Sequence, residues 1–322
     1  MINRSVIFAA SILVCTVAAP AARAEWPDHP IRWIVGFGPG GANDLIARIA
    51  ADGVSKRLGQ PVVVENRPGA GAVVGTAAVA RSPADGYTFL VGAASTITNS
   101  LLLKDLPYAD SDLVPVGMIA VAPSTIVVNP SVPANNMAEF IAWAKAQGGK
   151  GTWSTAGNGS TPEFVAEMIK EAAGVSFNII PYRSGGDSVN AVLANNVAAT
   201  SEASIVVLPK IKAGLLKAIA TTYEKRISVY PSITTTAEQG FPSVQIGHWA
   251  GLFAPRGTPE RIIQRMNAEL QAALKTAEVQ GRLTPNGIEP AGGSVADFVK
   301  FITTQRQRLS ELAAKIEISK EK

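Results

Sequence analysis

Beyond residue 25 the chain alternates short β-branched runs with longer amphipathic ones. Ile31-Arg32-Trp33-Ile34-Val35 predicts a strand, and the stripe Ile46, Ile49, Ala50 and Val54 predicts a helix from Asp44 to Leu58. Pro61 to Glu65 reads as a second strand, Ala70 to Ala80 as a small-residue helix and Tyr87 to Val91 as a third strand. Strand, helix, strand, helix, strand is the pattern of a parallel sheet covered on both faces. The pattern then restarts. Ala120 to Val128 is apolar and β-rich, Met137 to Ala146 is helical, and Thr152 to Thr155 is a short strand before a helix from Thr161 to Ala173. Phe177 to Ile180, a helix from Asp187 to Ala194, and strands at Ala198 to Glu202 and Lys217 to Thr222 complete this block. A third block holds a strand from Trp249 to Phe253, a helix from Pro259 to Lys275 and a last amphipathic helix from Val295 to Ile316.

Two α/β lobes account for this order, each a mostly parallel sheet flanked by helices, with seams near residues 120 and 247. One domain takes residues 25–120 plus 247–322 and the other residues 121–246. No Gly/Ser or charged linker marks either seam, so strands are expected to cross between the lobes, leaving a hinged pair with a ligand cleft between them.

The first 24 residues stand outside the fold. Arg4 supplies a positive start, Ser5 to Val17 is apolar, Pro20 breaks the run, and Ala22-Arg23-Ala24 offers small residues where a signal peptidase reads. Export to a periplasm with cleavage after Ala24 is the expectation. Cleavage also removes Arg4, Arg23 and Cys15, the only cysteine in the 322 residues. No disulfide, thiolate nucleophile or Cys-ligated metal is then available. The formal net charge of +4 falls by two, which leaves no basic footprint for nucleic acid. A 47% hydrophobic, 17% charged composition excludes a disordered chain.

Candidate chemistry begins in Gly36-Phe37-Gly38-Pro39-Gly40-Gly41-Ala42-Asn43-Asp44, which joins the first strand to the first helix. Glycines let the backbone approach a ligand, and a helix start presents unpaired N–H groups to an anion. Asn43 either caps the helix or reaches the ligand. Gly36, Gly38 and Gly41 also match a dinucleotide fingerprint with Glu65 beyond it, but Pro39 stiffens the loop, export argues against a nicotinamide cofactor, and no proton-transfer partner is evident. The second lobe has a matching loop, Ser154-Thr155-Ala156-Gly157-Asn158-Gly159-Ser160-Thr161, where hydroxyls and backbone N–H groups suit a carboxylate without a full positive charge. Closing between these loops, a cleft would grip one small acid from both sides.

Catalytic patterns are missing. His29 and His248 are the only histidines, no compact metal motif occurs and no G-x-S-x-G elbow anchors a hydrolase. Asp44 and Glu202 are expected to face the cleft, as an acid/base pair or as groups that select the ligand. Arg183, after Pro181-Tyr182, is suited to a bidentate carboxylate contact or to a surface ion pair. His248-Trp249, at the second seam, is placed to line the cleft, and Ser95 beyond the third strand is a further candidate contact.

The run from Trp26 to Asp44, the Gly59-to-Gly71 segment and Ala84-Asp85-Gly86-Tyr87-Thr88 resemble the substrate-binding proteins of tripartite tricarboxylate transporters, the Bug family. Ala156-Gly157-Asn158-Gly159-Ser160, Pro181-Tyr182-Arg183, Ile211-Lys212-Ala213-Gly214 and Gly251-Leu252-Phe253-Ala254-Pro255 follow in family order. The resemblance spans essentially the whole mature chain. It implies a two-lobed, type II-like periplasmic-binding-protein fold with no cofactor and no catalysis. It also implies a protein that traps an organic acid and delivers it to the large and small membrane subunits of a permease; a monomer is expected, and a receptor feeding a sensor is the alternative. In the family the two loops, here Phe37 to Asp44 and Ser154 to Thr161, hold one ligand carboxylate.

The second lobe departs from the family. Ser184-Gly185-Gly186-Asp187 replaces a Gly-Ser-Gly-Pro-like turn, Ala191 stands where Asp is common, only Glu202 remains of an acidic pair, and His248-Trp249-Ala250 replaces Ser-Trp-Phe. These changes favour a second carboxylate or an aromatic ring near His248 over an acidic amino acid.

Overall fold

The computed structural model describes residues 26–315, so the signal segment, its cleavage point and Ile316 lie outside the described residues. In chain order the first elements are β1 (Ile31–Val35), α1 (Ala42–Leu58), β2 (Val62–Asn66), α2 (Val73–Ala80), β3 (Thr88–Gly92), α3 (Ala94–Leu102) and β4 (Leu113–Ala122). The middle of the chain forms β5 (Ser124–Val128), α4 (Met137–Ala146), β6 (Thr152–Thr155), α5 (Thr161–Ala173), β7 (Asn178–Pro181), α6 (Gly185–Leu193), β8 (Ala199–Ala203), α7 (Ser204–Lys212) and β9 (Lys217–Thr221). The remainder forms β10 (His248–Pro255), α8 (Glu260–Leu274), α9 (Ala277–Leu283), β11 (Glu289–Pro290) and α10 (Val295–Lys315).

The strands form two sheets, one in each lobe. A six-stranded sheet has the order β11-β4-β10-β3-β1-β2 and a five-stranded sheet the order β7-β6-β8-β5-β9. β1 is parallel to β2 and β3 and sits between them, its Trp33 and Val35 fully buried against the helical layer. α2 lies close on β1 because the contact is glycine to glycine: a Cβ on Gly75 would stand 2.8 Å from the Gly36 Cα. In the second lobe Trp153, Phe140 and Phe164 fill the corresponding core.

Both sheets are mixed, where a mostly parallel arrangement was expected. The antiparallel strands are those that carry the chain between lobes. β4 leaves the first sheet at Ala122, Pro123 interrupts the ladder, and β5 enters the second sheet at Ser124 antiparallel to β8 and β9. The chain returns through β10, which runs antiparallel between β3 and β4 and pairs His248 with Ala122. The apolar run from Ala120 to Val128 is therefore two strands in two sheets, a division that hydrophobicity alone does not mark. Thr222 ties the crossings together, its N–H donating to the Ser124 carbonyl at 2.8 Å and its hydroxyl to the Ile246 carbonyl at 2.7 Å.

Most other expected elements appear with ends shifted by one to three residues. α1 starts at Ala42 instead of Asp44, with Gly41 as a cap that has no side-chain bond. The elements absent from the sequence reading are α3, α7, α9, β11 and the first part of β4. α3 is buried on nearly all sides although five of its nine residues are polar, so its sequence does not read as a core helix.

Candidate functional site

The cavity between the lobes is built from helix starts. In a strand–loop–helix unit the strand's carboxyl end delivers the chain to a helix N-terminus, whose first N–H groups have no carbonyl within their own helix. β1 delivers Gly41, Ala42 and Asn43 at the start of α1, and β3 delivers Ala93, Ala94 and Ser95 at the start of α3. From the other lobe β6 delivers Ser160, Thr161 and Pro162 at α5, and β7 leads to Gly185 at α6. Phe37, Ala156, Glu202 and His248 complete the lining around about 380 Å³ of atom-free space, part of it open to solvent. The converging dipole ends favour an anion, and among the described residues no Arg or Lys lines the cavity.

Several buried polar atoms here are left without partners. Ser95 Oγ, Ser160 Oγ and His248 Nε2 have no hydrogen-bond partner, in residues only 1%, 4% and 8% exposed. An unmet buried polar group costs about 1–3 kcal/mol. All three belong to residues lining this one cavity, where a polar ligand would supply the missing partners.

Glu202 and His248 meet there from opposite sheets, with Glu202 Oε1 3.4 Å from His248 Nε2. The Ala203 N–H donates to the same oxygen at 2.8 Å. Gly185 makes room for the carboxyl group, since a Cβ at that position would stand 1.6 Å from Glu202 Oε2. Burial pushes Glu202 up to about 7, against the pull of the Ala203 N–H, and burial pushes His248 down to about 3.

The expected site residues divide by place. Phe37, Gly41, Ala42, Asn43, Ser95, Ser160, Thr161, Glu202 and His248 line this inner cavity. Gly157, Asn158 and Arg183 line a separate outer chamber with Gly71 and Asp187, which shares Phe37 and Ala156 with the inner one. Gly38 and Gly40 serve the contact between lobes: the Gly38 N–H donates to the Arg183 carbonyl at 2.9 Å, and Gly40 packs on Gly186. Thr155 and Gly159 shape their loop. Thr155 Oγ1 accepts from the Gly157 N–H at 3.2 Å, and the Gly159 N–H donates to Glu163 Oε2 at 2.6 Å.

Two expectations need correction. Asp44 does not face the cavity and forms no pair with Glu202. It is pinned beneath the first loop by Arg48 Nε at 3.0 Å, Asn66 Nδ2 at 2.9 Å and the Gly40 N–H at 3.0 Å. Burial alone would raise its pKa, but these donors outweigh it and hold the carboxyl below the usual range. Trp249 turns its ring away, edge-on to Phe298 and Phe301, and only its carbonyl reaches the site, accepting from Asn43 Nδ2 at 3.2 Å. Asn43 caps nothing; its amide bridges Trp249 and the Gly92 carbonyl.

Sequence reasoning passed over Ala93, Ala94 and Pro162, which contribute backbone and small surfaces. The available signal was positional: Gly92-Ala93-Ala94-Ser95 is a third strand-to-helix loop. The dinucleotide fingerprint fails on packing. A Cβ on Gly36 would stand 2.5 Å from Ala72 Cβ, Gly41 faces Gly185, and Glu65 pairs with Arg67 at 2.7 Å. Among the described residues no metal-binding cluster occurs, and no helix is long and apolar enough to cross a membrane.

A family profile described as the tripartite tricarboxylate transporter family receptor matches residues 46–318. The chain is similar to the solved periplasmic binding protein BugD, with 31% identity, a TM-score of 0.87 and coverage of 90% of this chain and 98% of that one. It is similar to R. palustris Rpa4515 with adipate, at 30% identity and a TM-score of 0.87 over 90% of this chain and 98% of that one. It is also similar to MatC from Rhodopseudomonas palustris with bound malate, at 27% identity and a TM-score of 0.85 over 89% and 99%.

Proposed function

The chain belongs to the tripartite tricarboxylate transporter receptor family, whose members are periplasmic solute-binding proteins, and from that premise we propose that it captures a small organic carboxylate in its inner cavity. One observation carries this reading. The N-termini of α1, α3, α5 and α6 meet around buried hydroxyls that lack partners, in a cavity without a cation. That chemistry suits a carboxylate bound through neutral donors, as at other helix N-termini.

The ligand is a dicarboxylate. One end sits among the Ser95 and Ser160 hydroxyls and the first-turn amides, and the other faces Glu202 and His248. Malate and adipate in the related structures fit this class. The domain division at residues 120 and 247 sets the hinge. A ligand touching both lobes stabilises the closed arrangement by its differential affinity for it. As a monomer in the periplasm, after cleavage behind Ala24, the closed receptor presents its cargo to the large and small membrane subunits of a tripartite transporter.

The test is a thermal-shift panel on protein unfolded and refolded to strip bound ligand. A ligand at 100 times its Kd adds about 2.7 kcal/mol, several degrees for a chain of this size. A rise with dicarboxylates and none with NADH supports the reading. A panel of mono-, di-, tri- and aromatic carboxylates that moves nothing overturns it.

A further inference from the structure

The only ionisable side chains lining the inner cavity are Glu202 and His248, and they come from opposite lobes. Both are more than nine-tenths buried, they stand 3.4 Å apart, and His248 Nε2 has no hydrogen-bond partner. Among the described residues no other charged side chain lines the inner cavity. On α1, Asp44 is held by Arg48 and Asn66; on α6, Asp187 lies on the outer chamber; on β5, Thr125 opposite Glu202 is neutral. His248 also lines a second groove, on its far side, with Tyr223, Glu224 and Arg308.

An anion that fills this cavity therefore brings its far end against a buried carboxyl group with no cation to separate them. Two carboxylates at such range cannot both stay ionised, so one proton comes to be shared. We propose that a dicarboxylate dianion enters the cavity together with one proton from solvent, held between its distal carboxylate and the Glu202–His248 pair, while a monocarboxylate enters without one. The proposal rests on the carboxylate-receptor reading above. The proton adds to Glu202, and the new O–H donates to the ligand's distal carboxylate. Because burial already pushes Glu202 up to about 7, the free pair has a proton to gain at pH 8 and holds it already at pH 6.

Calorimetry on the refolded full-length mature protein, in two buffers of different ionisation heat, counts that proton. Adipate, malate and succinate are compared with hexanoate and butyrate. The expected result at pH 8 is close to one proton taken up per dicarboxylate bound, well below half a proton at pH 6, and none with the monocarboxylates. Dicarboxylate affinity then weakens close to tenfold per pH unit above pH 8. In E202Q both the uptake and this pH slope disappear. Dicarboxylate binding at pH 8 without proton uptake, or with an uptake that E202Q retains, overturns the proposal while leaving the receptor reading standing. Failure of every carboxylate to bind overturns that reading and the proposal together.

Discussion

Thr98 Oγ1 donates a 3.0 Å hydrogen bond to the Gly159 carbonyl, joining the end of the second lobe's ligand loop to α3 of the first lobe. With the Gly38–Arg183 backbone bond at 2.9 Å it fastens the lobes around the cavity. Thr98 is fully buried, so its bond is shielded from water.

Thr98→Val keeps the shape and removes the donor, leaving a buried carbonyl unmet in the closed state only. The closed population and ligand affinity should fall together, by about fivefold to tenfold for a loss near 1 kcal/mol. Small-angle scattering should show a larger radius for the variant, converging on wild type at saturating ligand. An unchanged radius and affinity would remove Thr98 from the closure.

Ser95→Ala and Ser160→Ala separate a binding role from a structural one by sign. Each deletes a buried hydroxyl that has no partner, so stability without ligand should hold or rise by about 1 kcal/mol. Ligand affinity should drop about tenfold in the same proteins. Urea unfolding and calorimetry measure the two quantities, and a parallel loss of both would mean that the hydroxyls serve the fold.

Gly185→Ala places a methyl where Glu202 Oε2 now lies, 1.6 Å from the ideal Cβ position. Overpacking of this kind costs about 1–3 kcal/mol. The double variant G185A/E202S should regain most of that stability, because the shorter side chain vacates the space. No recovery in thermal unfolding would place the strain elsewhere.

The Glu202–His248 pair makes opposing contributions to pH stability. A Glu202 raised from 4.5 to about 7 contributes stability that is full below pH 4.5 and lost as pH climbs to about 7. A His248 lowered from 6.5 to about 3 is penalised as it must charge, so stability falls as pH drops below 6.5. Between these limits the folded pair and the unfolded chain hold the same number of protons, and the effects cancel in the wild type. H248N should lose stability as pH rises from 4.5 to 7, and E202Q as pH falls below 6.5, each with a slope of about 1.4 kcal/mol per pH unit. Unfolding midpoints at pH 5 and pH 8 for the three proteins decide the matter.

Much of this architecture was legible before any coordinates. β-branched runs such as Ile31–Val35 and Val62–Asn66 and the stripe along α1 announce themselves by period, and both ligand loops by glycines and hydroxyls at strand-to-helix joints. α3 was hidden because Ala94–Leu102 is polar and β-branched yet largely buried. The ring of Trp249 was misplaced, although successive strand residues point to opposite faces and only one of His248 and Trp249 can look into the cleft.

The sequence by itself determined the paired α/β units, the anion-friendly loops and the absence of disulfide chemistry, because periodicity, glycine and cysteine content act within a few residues or over the whole composition. Tertiary structure alone decided that Asp44 is spent on Arg48 and Asn66, that Arg183 belongs to an outer chamber, and that Glu202 and His248 become neighbours. Glu202 is the penultimate residue of a strand in one sheet and His248 begins a strand of the other. Their meeting and their shifted protonation depend on the burial of both side chains where the two sheets approach, and no local pattern encodes that burial.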